Sequence, residues 1–552
     1  MAAVAAEVAE VAAEMAEVVS PSTDDPLVGS LSEVVGGPVG RHAGPRWRPP
    51  HESVGGLLPT AASVLVLAAS AVMGVAVLLR SHCRATGWAS PDQFTHACYS
   101  DIPTTVTASG LAAGSVPYLE PVAGQHLTQP VGTGAGLWLL STLAPDGPDQ
   151  LRWVFDLAVL VLVLAVAVTV ACVALLSRRR PWDAAMVAAS PVLLTSSLVS
   201  LDLVAVALAL AGVLALSRRR PVRAGTLVGL AVVVRPLALV VLVAVLLLGI
   251  RTGQRRPSVA LWSAAALTWA AVNVPVAVLA PAGWGAYWSA AWQAPFGYGS
   301  LWLLPQLVAE ELGGSAAPPR APAWLAVVGL VVVLGAAAVL AAMPEAVRRT
   351  WLPASWWLVG GVALAVVVVP ALAVRFGPGV LQWVATHQPA PSAARWMAVL
   401  GLLLVLAAVA LLALGTRRRP RLPVVVLALL VGTLLVLPAL PVQAAVWVLP
   451  FAVLAVPRWR DLLVWGSVEA VYATCTWFYL YGLSVPERGL PAWLYAVVTL
   501  ARVAALVWLV YRAVVLARHP ERDPVRSGDP ETDDPAAGQI EGAPDALVVR
   551  FA

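Results

Sequence analysis

Lysine is absent from this chain of 552 residues, so all 35 of its basic residues are arginine. Charge of either sign is scarce as well: 12% of residues are charged, against roughly 25% in an ordinary soluble domain. No His-x-x-x-His or Cys-x-x-Cys spacing occurs, and neither a Walker loop nor a Gly-rich dinucleotide fingerprint appears. Those absences exclude nucleotide-driven chemistry carried by a known loop and give no reason to expect a metal; no cofactor is implied. The small net charge of +5 bears on orientation in a bilayer, and no nucleic-acid partner is expected.

What the chain has is apolar residues, 60% of the total, arranged in runs long enough to cross a bilayer. It therefore reads as an integral membrane protein. The arginines gather in short tracts at 178–180, 218–223, 251–256, 348–349, 417–421, 458–460 and 512–526, which the positive-inside rule assigns to the cytoplasm. Arg41, Arg46 and Arg48 precede the first span and place the N-terminus on the same side. Residues 1–20 lack a basic start and a continuous apolar core, so no signal peptide is expected.

These tracts serve as a ruler for counting spans. Residues 58–79 exit, residues 81–152 lie outside, and Leu151 to Ser177 returns; the apolar piece Val131 to Ala144 is then a short interfacial or re-entrant segment. Residues 184–217 and 224–250 must each go out and come back between two arginine tracts. The second interval has only 27 residues, so its helices are short and break at Arg235-Pro236. An exit from Val259, an outer loop from Pro281 to Pro322 and a return through Ala323 to Ala342 follow. Further spans are expected near 355–374, 396–415, 424–437, 443–457, 461–482 and 491–515. The predicted fold is an all-α polytopic membrane protein with about 12–14 segments of the length a bilayer requires, several of them short. Its membrane domain covers 58–517. Residues 1–57, where Glu7, Glu10, Glu14 and Glu17 recur at helical spacing, and the tail 518–552 read as disordered cytoplasmic extensions.

Parity then puts Asp101, Asp202, Arg235 and Gln443 at the same outer face. Polar and ionisable groups at membrane depth are costly and mark cavities by default. Asp101 is either a turn-forming cap or a general base toward a hydroxyl, in a loop that also supplies His96, Tyr118, Glu120 and His126, with Trp138 following. Arg235, the only charge between Ala224 and Ile250, either snorkels to headgroups or offers its planar fork to a phosphate. Asp202 either caps the helix that follows or lines the site. Glu469 and Arg502 lie inside the last two spans and are expected to pair across them. Cys83 and Cys98 bracket Trp88 and Pro91 on the outer side, where a disulfide is the preferred reading and two free thiols the other.

The motifs His96-Ala97-Cys98-Tyr99-Ser100-Asp101-Ile102-Pro103, Gly114-Ser115-Val116-Pro117-Tyr118, Gly299-Ser300-Leu301-Trp302 and Pro457-Arg458-Trp459-Arg460-Asp461 are similar to those of a known family. The segment from Leu201-Asp202-Leu203 to Arg235-Pro236 is similar too. Together they resemble the polyprenol-phosphate-mannose-dependent α-mannosyltransferases of glycosyltransferase family 87, as a divergent member. The chain departs from the family pattern at Thr128-Gln129-Pro130, Ser200-Leu201, Leu437-Pro438 and Pro441-Val442-Gln443-Ala444. The resemblance implies a GT-C-type fold in the bacterial plasma membrane and inverting transfer of a mannose-like sugar from a polyprenyl-phosphate donor to a glycolipid or glycan acceptor on the outer face. It carries the role of base to Asp101, with Arg235 at the lipid phosphate and Asp202, Gln443, Trp302 and Tyr118 around the substrates. A catalytically inactive scaffold for envelope assembly, or a transporter of lipid-linked sugars, is the alternative.

Overall fold

The computed structural model describes residues 25–34, 61–307, 391–485, 488–527 and 533–549. Within them the chain is helical throughout, with no strand. The protein is an all-α polytopic membrane protein. Five helices are long and apolar enough to cross a bilayer: α2 (Ala61–Leu78), α7 (Gln150–Leu176), α13 (Arg255–Leu279), the Arg395–Gly415 stretch of α15 (Pro391–Gly415) and α19 (Ala492–Arg518). Between α2 and α7 run the short helices α3 (Ser81–Thr86), α4 (Asp92–Thr95) and α5 (Asp101–Ala108) and the half-length α6 (Val131–Leu143). The expected spans near 323–342 and 355–374, and the whole of the acidic N-terminal repeat, lie outside the described residues.

A second set of apolar helices is too short to cross: α10 (Asp202–Ser217), α11 (Pro221–Val234), α12 (Leu239–Thr252), α16 (Leu422–Val436) and α17 (Ala444–Ala455). At 1.5 Å per residue they reach about 18–24 Å, short of the ~30 Å hydrocarbon thickness. They form the interior. Every residue of α17 is buried, and α16 is buried over Leu422–Val431, as expected for helices that are apolar all round. Small residues let them approach closely. A Cβ on Gly225 or Gly229 of α11 would collide with the backbone of α13, and one on Gly212 of α10 would strike Val228. The break expected at Arg235-Pro236 is present: α11 ends at Val234, Arg235 is extended, and the chain restarts at Pro236.

Each short helix has an arginine-tract end and an opposite end. Asp202 begins α10 and Arg218 follows it; Arg220 precedes α11 and Arg235 ends it; Gln443 precedes α17 and Arg458 lies beyond its other end. Two arginines of the segment after α2 also make polar contacts away from the tracts. Arg80, just past α2, donates to the carbonyls of Ala76, Leu194 and Thr195, and Arg84 makes a bidentate pair with Asp156 of α7.

Three expectations are corrected. The tail was read as disordered because it is rich in Asp, Pro and Gly, yet its described part folds against the arginine tracts. Arg421 pairs with Asp523, Arg419 with Asp533, Arg178 with Glu541, and the fully buried Arg251 with Asp545. Asp534 accepts from the Leu422 amide at the N-terminus of α16, where a carboxylate is favoured. Composition predicted disorder, whereas Asp523, Asp533, Asp534, Glu541 and Asp545 each have a cationic or amide partner more than a hundred residues away. Within the N-terminal extension, Pro26–Val34 forms a helix (α1), and Asp25 beside it accepts from the Trp459 amide. The outer loop from Pro281 begins as the aromatic helix α14 (Pro281–Gln293), whose Trp288 and Trp292 are exposed as in an interfacial belt.

Asp523→Ala tests the tail. It strands the buried Arg421 guanidinium and is expected to lower stability by about 3–5 kcal/mol, measured as thermal or denaturant unfolding of the purified protein. An unchanged unfolding midpoint would mean that the tail contributes nothing there.

Candidate active site

The residues around Asp101 come from five separate segments. Ser100 is the N-cap of α5: its hydroxyl accepts from the Ile102 amide at 3.3 Å and donates to the Leu198 carbonyl at 2.9 Å. Asp101 is therefore relieved of capping, and its amide donates to the Val199 carbonyl at 2.8 Å. Its carboxylate is left for other partners. Oδ2 accepts from Gln443 Nε2 at 3.1 Å, and the Tyr99 side chain is hydrogen-bonded to it as well.

Asp202 is the first residue of α10 but makes no capping bond. Oδ1 accepts from Arg235 Nε at 2.7 Å and from the Ser200 hydroxyl at 2.8 Å, and Oδ2 accepts from the Trp447 indole at 2.9 Å. Arg235 does not snorkel away: Nη1 also reaches the Gln129 side-chain oxygen at 3.2 Å. Gln129 is brought there because Gly132 lets α6 pack directly on Val233, while Thr133 Oγ1 donates to the Val234 carbonyl at 2.7 Å. Arg235 and Asp202 also lie near enough for their charges to act on Asp101.

Burial pushes the Asp101 carboxyl above the usual carboxylate range, and the neighbouring Asp202 carboxylate acts the same way. The Tyr99 hydrogen bond, Arg235 and Gln443 pull it back without cancelling the rise. Burial likewise raises the Tyr99 phenol, so it stays protonated as a donor. A half-buried, elevated carboxylate beside a guanidinium can accept a proton on one side and offset phosphate charge on the other.

A narrow cleft opens beside Pro236, the residue after Arg235. Tyr118, Gln129, Trp269, Asn273, Tyr287 and Trp288 are among its walls. Tyr118 is fixed rather than free. Its hydroxyl donates to the Pro130 carbonyl at 2.8 Å, and any side chain at Gly134 or Gly283 would run into it.

Residues 130–370 match the family model described as glycosyltransferase family 87. Over that stretch the chain is similar to glycosyltransferase family 87, a likeness that supports a membrane glycosyltransferase. The GT-C fold expected of the family is consistent with its helical architecture. No curated protein and no solved structure matches it. The matched stretch contains Asp202, Arg235 and Trp302, while Asp101 and Gln443 lie on either side of it.

Of the residues singled out in the sequence, the structure joins Asp101 to Gln443 and Asp202 to Arg235, and sets the two pairs side by side. Tyr118 lines the cleft. Trp302 does not join the network: its indole donates to the Val436 carbonyl at 3.1 Å, at the end of α16, and stacks on Phe296. Cys83 and Cys98 form a disulfide. Glu469 of α18 (Trp459–Ser484) pairs with Arg502 of α19 at 2.9 Å, across the last two helices as expected.

Sequence reasoning missed Trp447 and the role of Tyr99. The signal for Trp447 was available, since it stands four residues after Gln443 and so shares a helical face with it. It also missed what Arg502 does beyond pairing. The guanidinium donates to the carbonyls of Leu440 and Pro441 and lies 4.1 Å from the Tyr472 ring centroid. The pair thus holds the turn that presents Gln443 to Asp101. Gly299 (φ 78°) closes the same turn, because a Cβ there would meet Tyr472, the Leu440 carbonyl and Arg502. Gly299→Ala is accordingly expected to cost about 1–3 kcal/mol of backbone strain and to reduce sugar transfer in membranes. Wild-type unfolding and wild-type transfer together would separate this turn from the site.

Proposed function

We propose that the protein is an inverting glycosyltransferase that moves a mannose-like sugar from a polyprenyl-phosphate donor to a hydroxyl of a glycolipid or glycan acceptor, at the face opposite the arginine tracts. The observation that carries this reading is the half-buried Asp101 carboxylate, held by Gln443 and Tyr99 and set beside the Asp202–Arg235 pair. In the reaction Asp101 takes the acceptor proton as the acceptor oxygen attacks the anomeric carbon. The bond from that carbon to the phosphate oxygen breaks with inversion, and the leaving polyprenyl phosphate carries away the electron pair. Arg235, fixed by Asp202 and Gln129, opposes the charge that develops on that phosphate. The aromatic cleft beside Pro236 suits a sugar face or the first units of an isoprenoid chain.

Asp101→Asn should reduce transfer from a radiolabelled polyprenyl-phosphate sugar by about 10²–10⁴-fold. The same change removes a half-buried charge, so the thermal midpoint should hold or rise. Undiminished transfer by a folded Asp101→Asn protein would remove Asp101 as the base.

The pH dependence has a defined sign. A general base works deprotonated, so the rate should fall as pH drops through the raised Asp101 value, above the ordinary carboxylate range. Tyr99→Phe deletes a bond that favours the anion, raising Asp101 further and moving the acid limb of the pH–rate profile upward. A limb that stays in place or moves downward assigns the titration to another group.

A further inference from the structure

Between α2 and Asp101 the chain makes a compact, stapled loop that the glycosyl-transfer reading leaves unused. Cys83 and Cys98 close it with their Cα atoms 5.8 Å apart, and the Arg84–Asp156 pair fastens it to α7 with two bonds of 2.6 Å. On this frame His82 Nε2 lies 2.6 Å from Asp92 Oδ2, and His96 Nδ1 lies 3.2 Å from Asp92 Oδ1. Ligand atoms of the three side chains all fall within 4.8 Å of one another. Their side chains are 39%, 39% and 45% exposed, so the group is open to solvent.

The two imidazole rings stack with centroids 3.5 Å apart and planes at 16°. Two imidazole nitrogens and a carboxylate oxygen drawn together at an open surface are a donor set that a divalent ion can bridge. A tetrahedral ion about 2.0 Å from each ligand atom sets those atoms roughly 3.3 Å apart, against 2.6 and 3.2 Å from Asp92 to the two rings. Binding opens the ring stack into a V so that each lone pair points at the ion. Two imidazoles and one carboxylate suit zinc-class transition ions and not magnesium or calcium, which favour all-oxygen sites.

We propose that His82, Asp92 and His96 form a surface binding site for a zinc-class divalent cation, spatially separate from the Asp101 cluster. The sequence has no contiguous metal motif because the ligands are spread over His82-x9-Asp92-x3-His96 and are gathered by the disulfide. The site also bears on Asp101 indirectly. Phe94, between two of the ligands, stacks on Tyr99 with ring centroids 5.6 Å apart, and Tyr99 is hydrogen-bonded to Asp101. An ion there stiffens the segment that presents both residues.

The test uses full-length protein without a polyhistidine tag, reconstituted in nanodiscs, stripped with chelator and titrated with zinc chloride. One equivalent should bind, in the presence of excess magnesium. His82→Ala, His96→Ala and Asp92→Asn should each weaken binding by at least about tenfold. Non-reducing electrophoresis establishes that the variants keep the Cys83–Cys98 bond, so that lost binding is not lost folding. Cobalt in place of zinc gives a second readout, a visible absorption band that the His82→Ala and His96→Ala proteins lack. Failure of the folded wild type to take up an equivalent of zinc, or equal uptake by wild type and all three variants, would overturn the proposal.

Discussion

Three donors from three separate elements meet on one carboxylate, that of Asp202. Ser200 is local, Arg235 comes from the break between α11 and α12, and Trp447 comes from α17. An uncompensated carboxylate among apolar helices is expensive, so this convergence fixes where the short helices may end. The ends of α10 and α11 are held together by it, and α17 is drawn onto the same point. Gln443, one turn ahead of Trp447, then has no choice but to face Asp101. The site is thus a consequence of helices that stop short of the membrane thickness and need their polar ends satisfied by one another.

A second constraint works from the flank. Arg502 and Glu469 neutralise each other inside α18 and α19, and the remaining guanidinium donors hold the carbonyls of Leu440 and Pro441. Such a pair contributes little net stability as a rule. Its value here is positional, since the turn it grips carries the Asp101 partner.

Much of this was legible in the sequence, because arginine parity is a strong signal in a chain with few charges. The break at Arg235-Pro236, the half-length segment after Pro130 and the common location of Asp101, Asp202, Arg235 and Gln443 all follow from counting between tracts. What parity cannot supply is pairing. Each of Asp101 and Asp202 could have been a helix cap by its position, and only the structure places Ser100 in that role for α5 and leaves Asp202 to Arg235. Trp302 stood in a family-like motif, yet its indole satisfies a helix-end carbonyl, a use that motif reading does not distinguish from substrate contact. The tail was misjudged for the opposite reason: composition measures how little apolar surface it can bury, and its attachment is ionic and distant in sequence.

That attachment gives the tail a place in the order of assembly. Because it follows the tracts in the sequence, the arginines it covers emerge from the ribosome with their charges uncompensated by it, and remain so while each preceding helix enters the bilayer. They are therefore able to act as retention signals for the insertion machinery at the stage when topology is decided. Only after the final helix is in place do Asp523, Asp533, Glu541 and Asp545 arrive to neutralise them. The same cations are thus uncovered by these acids at first and afterwards form half of an internal clasp.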